Sequence, residues 1–162
     1  MTASTDEAQY VTLCLETEVY AVPVAFVREI LDYRDAFRIP NGPDYLLGLI
    51  DVRGSGVPVI DLRLKLGLSK VTPTVSTRMM VLDVPIKNRA LALGLVADRV
   101  LEVITVTKEN IEPPPDVGVA WRSDYIDGVV RRDNGFVVLL NLPKLLTSAE
   151  ADTLSATVRT AA

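Results

Sequence analysis

Apolar and polar residues alternate along much of the chain, and this period of two predicts short β-strands. In YVTLCLET, Val11, Leu13 and Leu15 alternate with other side chains, which indicates a half-buried strand. The next segment, EVYAVPV, follows closely, so the two predict a hairpin around residues 16–18. VAFVREIL fits one turn of helix followed by a strand through residues 29–32.

The middle of the chain predicts more strands, separated by glycine and proline. LLGLIDVRG and GVPVIDL are two strands joined at Gly54-Ser55-Gly56, and LRLKLGL is a helical turn closed by Gly67. SKVTPTVST is polar and holds a proline, so it is the best internal linker. Three further strands follow in RMMVLDV, ALALGLVAD and VLEVITVT, with PIKNR as a hairpin loop.

The C-terminal part of the chain predicts a loop, a hairpin and a helix. KENIEPPPDVGVAWRS is a long proline-rich loop, and YIDGVVRRDNGFVVLLNL is a hairpin around residues 133–135. TSAEADTLSATV predicts a terminal helix over residues 148–158, with Thr147 and Glu150 as a capping box.

An internal repeat is the most informative feature of the sequence. GLIDVRGSGVPVIDLRLKL and GVVRRDNGFVVLLNLPKLL match without a gap about 80 residues apart, which pairs Asp61 with Asn141. YAVPVAFVREIL and LGLVADRVLEVI match about 73 residues apart, which pairs Val27 with Val100. Each half therefore carries a similar series of short strands.

This repeat predicts an all-β fold with short helices. Two small five-stranded barrels, related by the repeat, would pack on a shared core, because each alone is too small to bury much apolar surface. The first barrel is expected over about residues 18–70 and the second over about 78–146. The first strand, residues 10–17, is a candidate to belong to both, and the C-terminal helix follows the second barrel.

The composition is that of an ordinary globular protein and narrows the function. The 162 residues hold 17 Lys and Arg against 21 Asp and Glu, a net charge of -4, without a long basic run, which argues against nucleic acid. The absence of histidine removes imidazole-based catalysis and the usual zinc sites. No apolar stretch is as long as a membrane span and the N-terminus is polar, so we expect a cytoplasmic protein.

Few residues are candidates for chemistry. The carboxylates of Glu29, Asp51 and Asp61 lie near glycine turns and are candidates for acid–base work. Asp61 and its repeat partner Asn141, however, fit helix caps better. Cys14 lies in a regular strand without a histidine to activate it, so we expect a buried apolar role. The sequence has no phosphate-binding loop and no metal-ligand cluster, and we expect no catalytic residue, metal or cofactor.

Arg53 is the main candidate for binding. An arginine beside a hairpin turn is most often only a solvated turn residue. Its repeat partner, however, is Asp133, so the two predicted barrels carry opposite charges where these turns project. Such asymmetry on a repeated scaffold favours a protein-binding surface. Trp121, in the proline-rich loop, fits equally an interface anchor or a lid over one barrel end.

Three segments, in order, resemble the CheW family of chemotaxis coupling proteins: YAVPVAFVREIL, LLGLIDVRGSGVPVIDLRLKLGL and YIDGVVRRDNGFVVLLNLPKLL. The family pattern has an IPV…VREI segment, a GxINLRGxxxPVIDLR segment and a C-terminal NxxKLL. The resemblance covers nearly the whole chain and implies two SH3-like barrels and an adaptor without catalysis. Such adaptors link the cytoplasmic tips of methyl-accepting chemotaxis receptors to the regulatory domain of the histidine kinase CheA, in arrays that meet the membrane only through the receptors.

The resemblance also implies two contact surfaces. The receptor surface would comprise Val27, Glu29, Ile30, Leu47, Gly48 and Arg53, with Leu95, Val96 and Arg99 as a second wall. The kinase surface would comprise Gly54, Ser55 and Val57, with a second contact from Gly128 to Asn134.

Two positions depart from the family pattern. Asp51-Val52 stands where Asn-Leu is usual, and Asp51 would place a charge beside Arg53 that competes with the receptor. Gly56 replaces a bulky aliphatic residue and would reduce apolar contact area.

Three alternatives remain open from the sequence. One is the same coupling in a chemosensory pathway that controls pili, biofilm or development. Another is a small carboxylate-based hydrolase on a β-barrel, which predicts paired carboxylates in a pocket and turnover of a substrate. The third is a free-standing ligand-binding barrel, which predicts stabilisation by a small molecule without any kinase.

Overall fold

A computed structural model describes residues 7–86, 88–113, 125–133 and 135–146. Within these residues the chain forms ten strands, in the order β1 Glu7–Leu15, β2 Glu18–Pro23, β3 Val27–Asp32, β4 Leu46–Val52, β5 Ser55–Asp61, β6 Arg78–Ile86, β7 Arg89–Ala97, β8 Arg99–Thr107, β9 Ile126–Arg132 and β10 Gly135–Leu140. The short helices are α1 Leu62–Lys65, α2 Leu142–Leu145 and two 3-10 turns, Val24–Phe26 and Lys108–Asn110.

The strands form two five-stranded sheets with the same internal order. One sheet, which we name the central barrel, runs β3-β6-β7-β5-β4, and the other, the terminal barrel, runs β8-β1-β2-β10-β9. In each sheet one pair is parallel, β5 with β7 and β10 with β2, and the other pairs are antiparallel. The predicted all-β fold of two small curled sheets is therefore confirmed.

The membership of the sheets differs from the predicted boundaries. The first barrel was expected over residues 18–70, but β2 belongs to the terminal barrel. The second was expected over 78–146, but β6 and β7 belong to the central barrel. The reason is a circular permutation of the repeat: the β1–β2 hairpin occupies the place in the terminal barrel that the β6–β7 hairpin occupies in the central one.

Each barrel is closed by the chain segment that follows the first strand in the sheet order. This segment forms backbone hydrogen bonds with the last strand of the same sheet. In the central barrel, Phe37 and Leu49 exchange two backbone hydrogen bonds of 2.7 and 2.8 Å. In the terminal barrel, Glu112 and Val129 exchange two of 2.8 Å. These contacts satisfy backbone groups that an open sheet would leave at its edge.

The largest apolar cluster draws residues from both barrels. It includes Leu13 and Leu140 of the terminal barrel and Leu82 and Leu95 of the central barrel, each at most 1% exposed. Smaller clusters fill each barrel, around Val59 and Met79 in the central one and around Ile104 and Leu139 in the terminal one. The two barrels thus share one core, as the sequence predicted from their small size.

Two helix caps confirm the repeat in detail. The side chain of Asp61 accepts a hydrogen bond of 3.0 Å from the backbone N–H of Arg63 at the start of α1. The side chain of Asn141 accepts one of 3.1 Å from the backbone N–H of Lys144 at the start of α2. The predicted helical turn before β3 is also present, at Val24–Phe26.

One predicted turn is wrong, and several predictions lie outside the described residues. Val52 pairs with Ser55, so the β4–β5 hairpin turns on Arg53-Gly54 alone, and Ser55 and Gly56 are strand residues. The predictions outside the described residues are the helix at 148–158, its capping box of Thr147 and Glu150, Trp121 and Asn134.

Candidate partner-binding surfaces

The β4–β5 turn holds Arg53 in a backbone conformation that arginine rarely adopts. Arg53 has φ 53° and Gly54 φ 87°, the positive pair expected of a two-residue hairpin turn. Glycine, asparagine and aspartate suit such positions, whereas other residues are strained by about 1–2 kcal/mol. The carboxylate of Asp51 supports the turn, because its Oδ1 accepts a hydrogen bond of 2.9 Å from the Gly54 N–H. The turn itself therefore does not require an arginine at this position.

Arg53 is paired with Glu29 across the seam of the central barrel. Its Nε lies 3.3 Å from Oε2 of Glu29, which joins the β4–β5 hairpin to β3, the two ends of the sheet order. The Arg53 side chain is 82% exposed and that of Glu29 is 21% exposed. An ion pair this exposed stabilises a fold by only about 0.2–1 kcal/mol, so it does not exceed the strain of the turn. The guanidinium therefore remains available to a partner.

Ile30 lies on the other face of β3 from Glu29, because successive strand residues point to opposite faces. It is 42% exposed. Ion pairs flank it on the same strand pair, Arg28 with Asp83 and Arg78 with Asp32. Ile30 is thus an apolar spot between charges on the surface of the central barrel.

The other residues of the predicted receptor surface differ in how far they are buried. Leu95 is fully buried in the shared core and Gly48 is buried at the barrel closure, so neither offers a side chain to a partner. Val27 is half-buried against the shared core. Arg99 is exposed at the start of β8.

Leu47 and Val96 are half-buried beside the segment that links α1 to β6. Both pack against the inner core of the central barrel. They line a small cavity of about 60 Å³ together with Tyr33, Lys70 and Pro73. Leu47 also lines a cavity of about 530 Å³ formed with the loop before β4, so it borders open space on two sides.

The predicted kinase surface is divided in the same way. Gly54, in the β4–β5 turn, and Ser55, the first residue of β5, are exposed. Val57 is 0% exposed inside the central barrel, and Gly128 is buried at the closure of the terminal barrel, so both have structural roles. Asn134 lies outside the described residues.

The terminal barrel carries an open groove that the sequence did not reveal. The groove has a volume of about 530 Å³ and an apolar lining that includes Leu101, Val129 and Phe136. Leu101 is 42% and Phe136 is 50% exposed. The repeat offered a signal, because Leu101 replaces the charged Arg28 of the central barrel at a matched position.

The rim of this groove differs in charge from the matching part of the central barrel. Asp133, with φ 52°, has nearly the same φ as Arg53 but the opposite charge. Glu102, the repeat partner of Glu29, and Glu18 also line the groove with Arg132, and the Arg131 guanidinium lies 5.3 Å from the centre of the Phe136 ring. The two matched turns therefore carry opposite charges, Arg53 on one barrel and Asp133 on the other, so the two surfaces differ electrostatically at this point.

The described residues contain no arrangement suited to catalysis. Burial raises the pKa of the Cys14 thiol, which keeps it protonated and unreactive. Asp51 and Asp61 accept the turn and cap hydrogen bonds given above, and Glu29 pairs with Arg53. Within the described part of the chain, no three potential metal ligands cluster, and no helix is both long and apolar enough to cross a membrane.

The chain is similar over most of its length to proteins of one family. The pattern of the family described as "CheW-like domain" matches residues 9–150. The chain is 30% identical to the chemotaxis protein CheW of Treponema pallidum over 96% of this chain and 91% of that protein. It is 33% identical to the protein FrzA of Myxococcus xanthus over 79% of this chain and 78% of that protein. The crystal structure of the scaffolding protein TtCheW from Thermoanaerobacter tengcongensis matches with a TM-score of 0.74 at 28% identity, over 85% of this chain and 91% of that one.

Proposed function

This chain belongs to the CheW-like family and is a non-catalytic scaffold of chemotaxis signalling, and we propose that it couples the cytoplasmic tips of methyl-accepting receptors to a CheA-type histidine kinase. The observation that carries the proposal is the Arg53–Glu29 pair, an exposed guanidinium on a strained turn. The scaffold acts in the cytoplasm, at receptor arrays, and meets the membrane only through the receptors.

The receptor docks over the edge of β3. A partner that reaches across this edge meets Ile30 on one face and the Arg53–Glu29 pair on the other. Ile30 supplies apolar contact, and the two charges orient the partner and disfavour others. Leu47, Val96 and Arg99 remain candidate contacts at the border of this surface, whereas Leu95 is buried in the shared core and is not a contact.

The kinase docks on the groove of the terminal barrel. Gly54 follows Arg53 in the two-residue turn and Ser55 is the first residue of β5, so a kinase bound there would compete with the receptor for the same few atoms. The groove near Asp133, on the other barrel, leaves both partners free to bind together. Its exposed Leu101 and Phe136 provide the apolar centre that protein interfaces need.

A second candidate is the same coupling in a pathway other than flagellar chemotaxis. This second candidate is kept because the relatives include FrzA, a protein that is not named as a chemotaxis protein CheW. Capture of this chain's own receptor and kinase from its host would distinguish the two, since each pathway has its own set.

Co-sedimentation with receptor-tip assemblies and the kinase tests the proposed function. We expect the wild type to sediment with both and Arg53→Ala to keep the kinase but lose the receptor. Arg89→Ala, at the exposed start of β7 on the same barrel, is the matched control and should keep both partners. The exchange of charges in Arg53→Glu with Glu29→Arg should restore the ion pair without restoring the receptor. Binding of neither partner by a folded wild type would overturn the coupling function.

A further inference from the structure

A buried guanidinium lies at the junction of the two barrels. The Arg63 side chain, at the start of α1, is only 6% exposed. Its Nε and Nη2 donate to the two oxygens of Asp98 at 2.9 and 2.5 Å. Its Nη1 donates to Oε1 of Glu16 and to the carbonyl of Ser69, both at 3.1 Å. This one side chain therefore binds two carboxylates and a backbone carbonyl.

The partners of Arg63 come from different parts of the fold. Glu16 is in the β1–β2 turn of the terminal barrel. Asp98 is the residue between β7 and β8, where the chain passes from the central to the terminal barrel. The backbone N–H of Glu16 also donates to Oδ2 of Asp98 at 2.8 Å. Arg63, from the central barrel, thus holds both the crossover and a turn of the opposite barrel.

The matched position of the repeat has no such arrangement. The spacing that pairs Asp61 with Asn141 pairs Arg63 with Pro143, and the spacing that pairs Val27 with Val100 pairs Asp98 with Ala25. Proline and alanine cannot form an ion pair. The junction between the barrels is therefore held by charge at the β7–β8 crossover and by apolar contacts at the β2–β3 crossover.

We propose that Arg63 is a positioning residue that fixes the angle between the two barrels. The shared apolar core favours contact but is non-directional. A bidentate pair of arginine and carboxylate has a set geometry, and burial makes loss of one partner costly. This angle also sets how the receptor surface and the kinase groove face each other, and its role in signalling rests on the proposed function.

The charge state of the pair supports this role. Hydrogen bonds from Arg63 are the main cause that lowers the pKa of Asp98, with burial acting against them. The same hydrogen bonds raise the pKa of Arg63 above its ordinary value. Both groups are therefore charged at neutral pH, as a directional pair requires.

The distance between spin labels on the two barrels tests the inference without any partner. Labels at Ala90 of the central barrel and Thr105 of the terminal barrel, both exposed, report the angle in a Cys14→Ser background. Arg63→Met, which keeps the stem but not the charge, should broaden the distance distribution, and Arg63→Lys should broaden it less. Arg78→Met, which removes an ion pair within one barrel, is the matched control and should leave it unchanged.

A second measurement separates this inference from the proposed function. Arg63→Met should bind receptor and kinase singly like the wild type, yet lose about tenfold in kinase control when both are present. An unchanged distance distribution in a folded variant would overturn the positioning role, whatever the partners do. If Arg63→Met does not fold, the same distances are measured in Asp98→Asn and Arg63→Lys. Distance distributions as narrow as that of the wild type in both variants would overturn the inference equally.

Discussion

Gly48 and Gly128 occupy the same position in the two barrels, each directly beneath the backbone segment that closes its sheet. A Cβ on Gly48 would lie 2.1 Å from the carbonyl oxygen of Phe37, and one on Gly128 would lie 2.6 Å from that of Glu112. Both distances are far shorter than carbon and oxygen atoms tolerate. The repeat thus preserves glycine because barrel closure needs a close approach of two backbones.

We expect Gly48→Ala and Gly128→Ala each to lower the free energy of unfolding by roughly 2–4 kcal/mol, because the closing backbone must move. Gly135→Ala is the control, since a Cβ there meets nothing within 4 Å, and it should change stability by less than about 0.5 kcal/mol. Urea denaturation of the three variants checks this. Equal stability of all three would show that the closure is more adaptable than its contacts indicate.

Leu95 and Arg99 were both predicted as receptor contacts, and the structure separates them. Leu95→Ala should lower the free energy of unfolding by about 2–5 kcal/mol, because it opens a cavity in the shared core. Arg99→Ala should change stability by less than about 0.5 kcal/mol. Thermal and urea unfolding check both values. A stable Leu95→Ala protein that loses only receptor binding would contradict the structural role.

The groove of the terminal barrel should depend on Phe136. Phe136→Ala should weaken kinase binding by about 1–2 kcal/mol without lowering stability, because the ring is half exposed and apolar. Phe37→Ala, which removes a 76% exposed ring from the central barrel, is the matched control and should leave kinase binding intact. Calorimetric titration with the kinase regulatory domain measures both. Equal losses from the two variants would place the kinase elsewhere.

Arg53 should show a conflict between stability and binding. Arg53→Asn places a residue that suits positive φ in the turn, so stability should stay equal or rise by up to about 1 kcal/mol while receptor binding falls. Asp133→Asn, at the same φ in the other barrel, is the control for the backbone and should keep the receptor. Denaturation and co-sedimentation on the same samples check the prediction. A loss of stability above about 1 kcal/mol would instead make Arg53 a structural residue.

The Arg63–Asp98 pair should make stability depend on acid pH. Because Asp98 has a lower pKa in the folded state, it stabilises the fold above its unfolded pKa of about 3.9 and loses this effect as the pH falls through the folded value. The difference in unfolding free energy between wild type and Asp98→Asn should thus be constant near neutral pH and shrink below about pH 4. Urea denaturation at several pH values measures it. In an Arg63→Met background the same comparison should lose most of its pH dependence, because only the Glu16 N–H then still donates a hydrogen bond to Asp98, and an undiminished pH dependence there would show that Arg63 is not the main cause of the lowered Asp98 pKa.

The sequence predicted the fold well where the chemistry is local. Alternation at Val11, Leu13 and Leu15 identified a real strand, although the predicted half-burial is wrong because Thr12 and Cys14 are buried as well. The caps at Asp61 and Asn141 were found because a cap needs only neighbouring residues. The repeat located the matched hairpins but could not show that the N-terminal hairpin completes the C-terminal sheet. That pairing joins β2 to β10 over more than a hundred residues, and no local pattern encodes it.

The candidate surfaces were predicted less completely, for a related reason. Leu95 and Val57 read as surface candidates because a family pattern marks positions along the chain, whereas burial depends on what packs over them. The pairing of Arg53 with Glu29 and the groove beside Phe136 arise from residues distant in sequence. The positive φ of Arg53, in contrast, is typical of a two-residue hairpin turn and could have been predicted from the sequence.

The permuted terminal barrel has a consequence for biosynthesis. The ribosome releases the chain from its N-terminus, and all five strands of the central barrel lie within one continuous stretch, β3 to β7. The β1–β2 hairpin is synthesised before the central barrel, but its sheet is complete only after β8, β9 and β10 have been synthesised. During synthesis, a complete central barrel would thus lie beside a β1–β2 hairpin whose strand edges are unpaired. These edges remain exposed until β8 and β10 have been translated.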